Sequence, residues 1–284
     1  MRNKSRGYVT IIVIWVAAIL VVISGGLTLY VRYQARALSN YENYLKAYYI
    51  AAAGAYDVIY TDFAKRNLLK LSSIAGIDSL NAANTNVAFG GGRYTAVLED
   101  EGGKSNINNA PIKVMIDILK EIKLNDYDKK SQAILNWRKQ NGGVYFNVEE
   151  LGLVPDLDIN DVFLLLPYFT VYDSASGAQG TLNVNTVSLP VLKAYIREFN
   201  GPDNLADKLI SKRPFDNASL QTYIRQNARR MSTRFTRYFC AESVTKRVRV
   251  FSGFAGAAAK VNMVFNTSGP GEHEKVFIRY FWQE

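Results

Sequence analysis

From Tyr8 to Val31 the chain runs 24 residues without one charged side chain, directly after a leader that carries Arg2, Lys4 and Arg6. At ~1.5 Å per helical residue such a run reaches roughly 36 Å, enough to cross the hydrocarbon core of a bilayer. A secretory signal has an apolar region of about 7–15 residues, closed by a small-x-small site. Here the run is longer, and it passes into LYVRYQARALSNYENYLKAYYIAAAGAYDVIY without a proline. Leu, Ala and Tyr recur there at helical spacing, and the first charges, Arg32 and Arg36, fall on one side. The pattern predicts one long helix, apolar in its first half and amphipathic in its second. The basic leader predicts an N-terminus held in the cytoplasm. On hydropathy alone the segment reads as an uncleaved signal anchor.

Few chemistries are open to the rest of the chain, which is long enough for one or two ordinary domains. Cys240 is the single cysteine and His273 the single histidine. No intrachain disulfide can form, and a zinc site or a Ser/His or Cys/His catalytic centre is hard to build. FGGGR lacks the Lys-Ser/Thr continuation of a phosphate-binding loop. Net charge is +9, of which three charges precede Tyr8. The remaining excess is that of a solvated face and does not point to nucleic acid.

Residues 78–93, DSLNAANTNVAFGGGR, read as a Gly- and Asn-rich loop. Tyr94, Ala96 and Leu98 then alternate with Thr95, Val97 and Glu99, which predicts a strand ending in a turn. Residues 105–230 read as helices. After them RFTRYFCAES, KRVRVFSGFAG, AAKVNMVFNTS and KVFIRYFWQ predict three or four strands. An antiparallel sheet with one face buried against the amphipathic half of the first helix suits this alternation.

The helical block carries an internal repeat. Asn106-Ile107-Asn108-Asn109 aligns with Asn183-Val184-Asn185-Thr186, 77 residues on, and an apolar helix follows each. The Asn pairs are expected to close turns and start the helices. A second echo pairs Phe146 and Leu151 with Phe215 and Leu220. Helix-hairpin units can hold DNA phosphates through glycine hairpins. Neither copy has a clear G-x-G hairpin, so packing against protein is expected instead.

Together these features resemble the minor pseudopilin K family of bacterial type II secretion, the general secretion pathway protein K family, over nearly the whole chain. KSRGYVTIIVIWVAAILVV resembles a class III prepilin leader. YTAVLEDEGGKSNINNAP is similar to the family's D-E-x-G-K-x-N-x-N segment, and ILNWRKQN to its D-W-x-D-x-D segment. FNVEELGLVPDLDINDVFLLLPYFTVY followed by GTLNVNTVSLPVLKAY resembles its E-L helix, P-Y-x-T-V strand and N-V-N-T turn.

The resemblance implies an α+β, pilin-like fold: a long N-terminal helix and an antiparallel sheet, interrupted by an all-α insertion of two similar helical units. It divides the chain into a leader (1–7), a transmembrane and assembly helix (8–31), a pilin-like domain in two parts (32–104 and 231–284) and the insertion (105–230). Prepilin peptidase would cut between Gly7 and Tyr8, and the new amine of Tyr8 would be N-methylated. Most pilin-like subunits carry Glu at the fifth mature position; here it is Ile12. A carboxylate in a bilayer needs a partner, and a subunit that starts the fibre has no predecessor to supply one.

The implied role is non-enzymatic: a minor pseudopilin at the tip of the pseudopilus. Its expected partners are the minor pseudopilins I and J, other pseudopilins, prepilin peptidase and the inner-membrane assembly platform. The alternative is a minor pilin of a type IV pilus or competence system. The implied location is the inner membrane, single-pass, with the body in the periplasm. The family can bind calcium, which needs about six to eight oxygen ligands. Here Arg138 and Lys139 stand where the family tends to place acids, so calcium dependence is expected to be weak or absent. Asp156, Asp158, Asp161 and Asp173 are the candidate ligands.

Overall fold

The computed structural model describes residues 5–71, 83–140, 142–172, 182–202, 204–228, 235, 238–267 and 276–283. Helix α1 (Ser5–Leu71) is continuous over 67 residues. Its second half buries Ala47, Ile50, Ala51, Ala55, Val58 and Ile59, which recur with the helical period along one stripe. That stripe lies on a five-stranded antiparallel sheet. The strands are β1 (Ala83–Phe89), β2 (Gly92–Asp100), β7 (Thr245–Phe254), β8 (Ala257–Thr267) and β9 (Val276–Gln283), in the order β1-β2-β7-β8-β9.

The pleat sorts the side chains as the alternation predicts. Tyr94, Ala96 and Leu98 of β2, Val248 and Val250 of β7, and Val261, Met263 and Phe265 of β8 form one core with α1. Polar ties fix the helix on the sheet. Tyr94 donates to Asp57 at 2.7 Å, Ser252 donates to the Ala47 carbonyl at 2.6 Å, and Lys246 pairs with Asp62 at 2.7 Å. Burial, and then the bond to Asp57, push the Tyr94 phenol up to about 12, so it remains a donor at neutral pH.

One expectation is corrected here. Ala83–Phe89, read as part of a loop, is a strand that pairs with β2 through a two-residue turn. Gly90 and Gly91 both have positive φ, 59° and 80°, as a primed hairpin turn requires. Asn86 (φ 60°) sits in a bulge, so the segment lacks the alternation by which a strand is read. Phe239–Cys240 (β6), expected to lead into the sheet, belongs instead to a short ladder outside it.

β2 and β7 are hydrogen-bonded neighbours, with Asp100 opposite Lys246. Everything from Glu101 to Val244 is therefore inserted between two adjacent strand ends. The first half of the insertion holds β3 (Ser105–Asn106), α2 (Ile112–Glu121), α3 (Tyr127–Gln140), a 3-10 turn at Val148–Leu153, α4 (Ile159–Leu165) and β4 (Phe169–Thr170). The second holds β5 (Leu182–Asn183), α5 (Leu189–Glu198), α6 (Leu205–Ser211), α7 (Asn217–Asn227) and β6. Each half closes with a two-residue parallel ladder, β3 with β4 and β5 with β6. Both halves share a second core, separate from that under α1, which includes Met115, Ile118, Leu119, Leu151, Leu165, Leu192 and Phe235.

The repeat is visible atom by atom. Asn106 accepts from the Asn108 N–H at 2.9 Å, and Asn183 from the Asn185 N–H at 3.0 Å. Asn108 then clamps the backbone of Tyr145 from both sides, at 2.9 and 2.7 Å. Asn185 clamps Phe215 in the same way, at 2.8 Å for each bond. The Asn residues close turns but do not cap the helices; the residues preceding α2 and α5 are Pro111 and Ser188. The second echo slips by one residue. Phe146 is 76% exposed, whereas Tyr145, its OH on the Ile134 carbonyl, occupies the buried place of Phe215. Leu151 and Leu220 are both buried.

Gly54 faces the ring of Tyr94. A Cβ there would meet three ring atoms at 2.7–2.9 Å. Gly→Ala in a helix ordinarily gains up to about 1 kcal/mol. Here the buried ring is tied to Asp57 and cannot step aside. Gly54→Ala is expected to lower the thermal midpoint of the full chain in detergent; an unchanged or raised midpoint would contradict this packing.

Candidate functional site

Among the described residues, the large apolar side chains in the first half of α1 are not covered by the rest of the chain. Tyr8 is 72% exposed and Ile12 50%, and the large apolar side chains through Val31 are exposed like them. The backbone is satisfied within the helix, and Thr28 donates to the Ser24 carbonyl at 2.8 Å, so its hydroxyl is met inside the run. A helix apolar on every side and uncovered in this way needs either lipid or other helices around it. Burying each of its Ile, Leu or Val side chains contributes about 1.5–3 kcal/mol. α1 is thus long and apolar enough to act as a single-pass anchor. Gly7 and Tyr8 lie near the start of the described helix.

At the other end of the molecule, the DEGGKSNIN segment is the joint between sheet and insertion. Asp100 accepts from Asn183 at 2.7 Å, from Thr186 at 2.6 Å and from the Gly102 N–H at 2.9 Å. The first carboxylate of the segment therefore holds the second helical unit. Glu101 is fully buried. It pairs with Arg247 at 2.9 Å and Lys104 at 3.0 Å, and Thr170 of the first unit donates to it. Burial by itself would raise the Glu101 carboxyl. Lys104, Arg247 and the Thr170 hydroxyl outweigh it and hold the group below its ordinary range. Gly102 and Gly103 have no room for side chains: a Cβ on Gly102 would overlap Ser243, and one on Gly103 would meet Thr186 at 2.9 Å. Sequence reading found this segment only through resemblance. A charged pair beside two glycines otherwise reads as a solvated turn, and Arg247 lies too far along the chain to be matched with it.

Three of the four candidate metal ligands, Asp156, Asp158 and Asp161, already have protein partners. Asp156 takes Lys129 at 2.6 Å. Asp158 and Asp161 accept from each other's backbone N–H at the start of α4, and Asp161 also takes Lys130 at 2.7 Å. One oxygen of each carboxylate is thus engaged by a cation or an N–H group. Arg138 donates to the Ile107 and Asn108 carbonyls at 2.8 and 2.7 Å, and Lys139 is exposed. Asp173 and His273 lie outside the described residues. Among the described residues no three metal-ligating side chains come together.

No protein-family model matches the chain. No curated protein matches it. Among solved structures it is similar to a chain of the GspK-GspI-GspJ complex from the type 2 secretion system of enterotoxigenic Escherichia coli. The superposition covers 88% of this chain and 99% of that one, with a TM-score of 0.58 at 13% identity. The fold is pilin-like. It combines the long N-terminal helix, the antiparallel sheet and the interposed helices in one α+β architecture.

Two outcomes are expected from the joint and from the engaged carboxylates. Because the folded-state pKa of Glu101 is depressed, its contribution to stability is present above the unfolded value, near 4.5, and is lost as pH falls through the folded value. Glu101→Gln leaves two cations facing a neutral amide. It is expected to cost about 3–5 kcal/mol at neutral pH and to flatten the pH dependence of the unfolding midpoint below about 4.5. For calcium, occupancy at a hundredfold excess over Kd would stabilise by ~2.7 kcal/mol. Thermal unfolding with calcium and with chelator is expected to give the same midpoint, and a large rise with calcium would show a site among other oxygens.

Proposed function

We propose that this chain is a non-enzymatic minor pseudopilin that initiates and tops the type II secretion pseudopilus, and so supports protein export across the outer membrane. The observation that carries the reading is the fold likeness to a chain of the GspK-GspI-GspJ complex over nearly the full length of both chains. On this reading its neighbours at the tip are the minor pseudopilins I and J. Other pseudopilins, the inner-membrane assembly platform and prepilin peptidase are its further partners. The likeness is to a secretion complex and does not favour the minor pilin of a type IV pilus or competence system.

Processing at Gly7–Tyr8 on the cytoplasmic side would remove the basic leader and leave Tyr8 as the N-methylated first residue. The bare apolar helix would serve first as an inner-membrane anchor and then as the packing helix of the fibre, with the body in the periplasm. Two features support the end position. Ile12 offers no carboxylate to the amine of another subunit. The Glu101–Val244 excursion between β2 and β7 contains the expected 105–230 insertion of some 126 residues; a head enlarged this much collides with neighbours in a shaft and is free at an end.

The test has two readouts. N-terminal sequencing of protein from a strain with active prepilin peptidase is expected to begin at Tyr8, leaving 277 of the 284 residues. An intact Met1, or a cut beyond Val31, contradicts the processing. Immunogold against the insertion on sheared fibres is expected to give at most one cluster, at one end. Labelling along the shaft, or undiminished fibre initiation without this gene, contradicts the tip role. Ile12→Glu is expected not to improve assembly.

A further inference from the structure

A cavity of about 940 Å³ opens where the outer face of the sheet meets both helical units. Its walls come from three bodies: Val97 and Glu99 on the side of β2 away from α1, Phe169 of the first unit, and Ser188 and Arg213 of the second. The other cations around it have carboxylate partners. Lys104 pairs with Glu99 and Glu101, Arg247 with Glu101, and Arg249 with Glu99.

Arg213 differs. Among the described residues its guanidinium donates to the Val187 carbonyl, and its Nε is buried without a hydrogen-bond partner. The residue after that carbonyl is Ser188, whose Oγ is likewise buried and unpartnered. Burial works against the Arg213 charge, yet a guanidinium does not give up its proton in a protein. A planar fork of donors beside a free hydroxyl, with no acid to meet it, is matched by a carboxylate. The volume is that of a pocket for a ligand of several residues rather than for a lone ion. The walls also combine apolar surface from Val97, Leu166 and Pro167 with polar groups able to meet a peptide backbone.

We propose that this cavity is a binding site for an acidic peptide segment, whose carboxylate is held by Arg213 and Ser188. The carboxylate is either a side chain or a free C-terminus, and the experiment separates the two. The inference stands on the cavity alone and does not depend on the proposed place in a fibre.

The test is calorimetric titration of the full chain in detergent with three apolar hexapeptides. One has an internal Glu and an amidated C-terminus. The second has Gln in place of Glu and a free C-terminus. The third has Gln and an amide, and so no carboxylate. At least one acidic peptide is expected to bind tenfold or more tightly than the neutral one, and the tighter of the two identifies the carboxylate. Arg213→Gln is expected to erase the difference. Should that variant fail to fold, Val97→Glu keeps the test, since Val97 is half-exposed on the cavity wall. A carboxylate placed there is expected to weaken the acidic peptide at least tenfold. Equal binding of all three peptides, binding of none, or a preference that survives either folded variant overturns the site. Inorganic phosphate binding as tightly as the acidic peptides overturns its assignment to a peptide.

Discussion

The buried Glu101 carboxylate is the point on which the two cores depend. It sits one residue beyond the end of β2, and its partners come from every side: Arg247 from the returning strand, Thr170 from the first helical unit, Lys104 from its own turn. A buried charge of this kind adds little net stability compared with a well-packed apolar group, but leaving it half-paired is costly. Its effect is therefore one of geometry. Any other orientation of the insertion on the sheet strands at least one charge in the interior. Asp100 does the same for the second unit through Asn183 and Thr186. Two adjacent carboxylates thus address two different halves of the insertion.

The duplication inside the insertion explains how a chain of this length builds that second core economically. Asn108 and Asn185 each replace a strand partner with a side-chain amide, gripping one N–H and one C=O of a distant residue. Arg138 and Arg213 then satisfy carbonyls of the two turns, at Ile107 and Asn108 in one copy and at Val187 in the other. The copies have diverged in what the arginine meets. That of Arg138 is occupied by two carbonyls, whereas that of Arg213, beside the cavity, keeps its Nε buried without a hydrogen-bond partner.

Local periodicity made much of this legible. The uncharged run, the stripe from Ala47 to Ile59 and the alternation in β2, β7 and β8 each follow from one element's own pattern, and the Asn repeat announced the two units. What escaped were contacts set by distant pairing. β1 is held by its ladder to β2 despite a polar, bulged sequence. Tyr145 takes the buried place that matching letters gave to Phe146, because the clamp acts on backbone atoms, which no letter encodes. The burial of Glu101 depends on Arg247, and the cavity on three segments that meet only after folding.

The entry and exit of the insertion have a mechanical consequence. Asp100 and Lys246 are opposite one another at the same end of an antiparallel ladder. A force that pulls the helical head away from the sheet loads that ladder by peeling, so its rungs break one at a time instead of sharing the strain in shear. Peeling begins at the outermost rung, and that is where Glu101, Lys104 and Arg247 are locked together, with Lys246 tied to Asp62 on the long helix. The ion pairs stand at the tear point, so tension on the head passes into the long helix before it can open the zip.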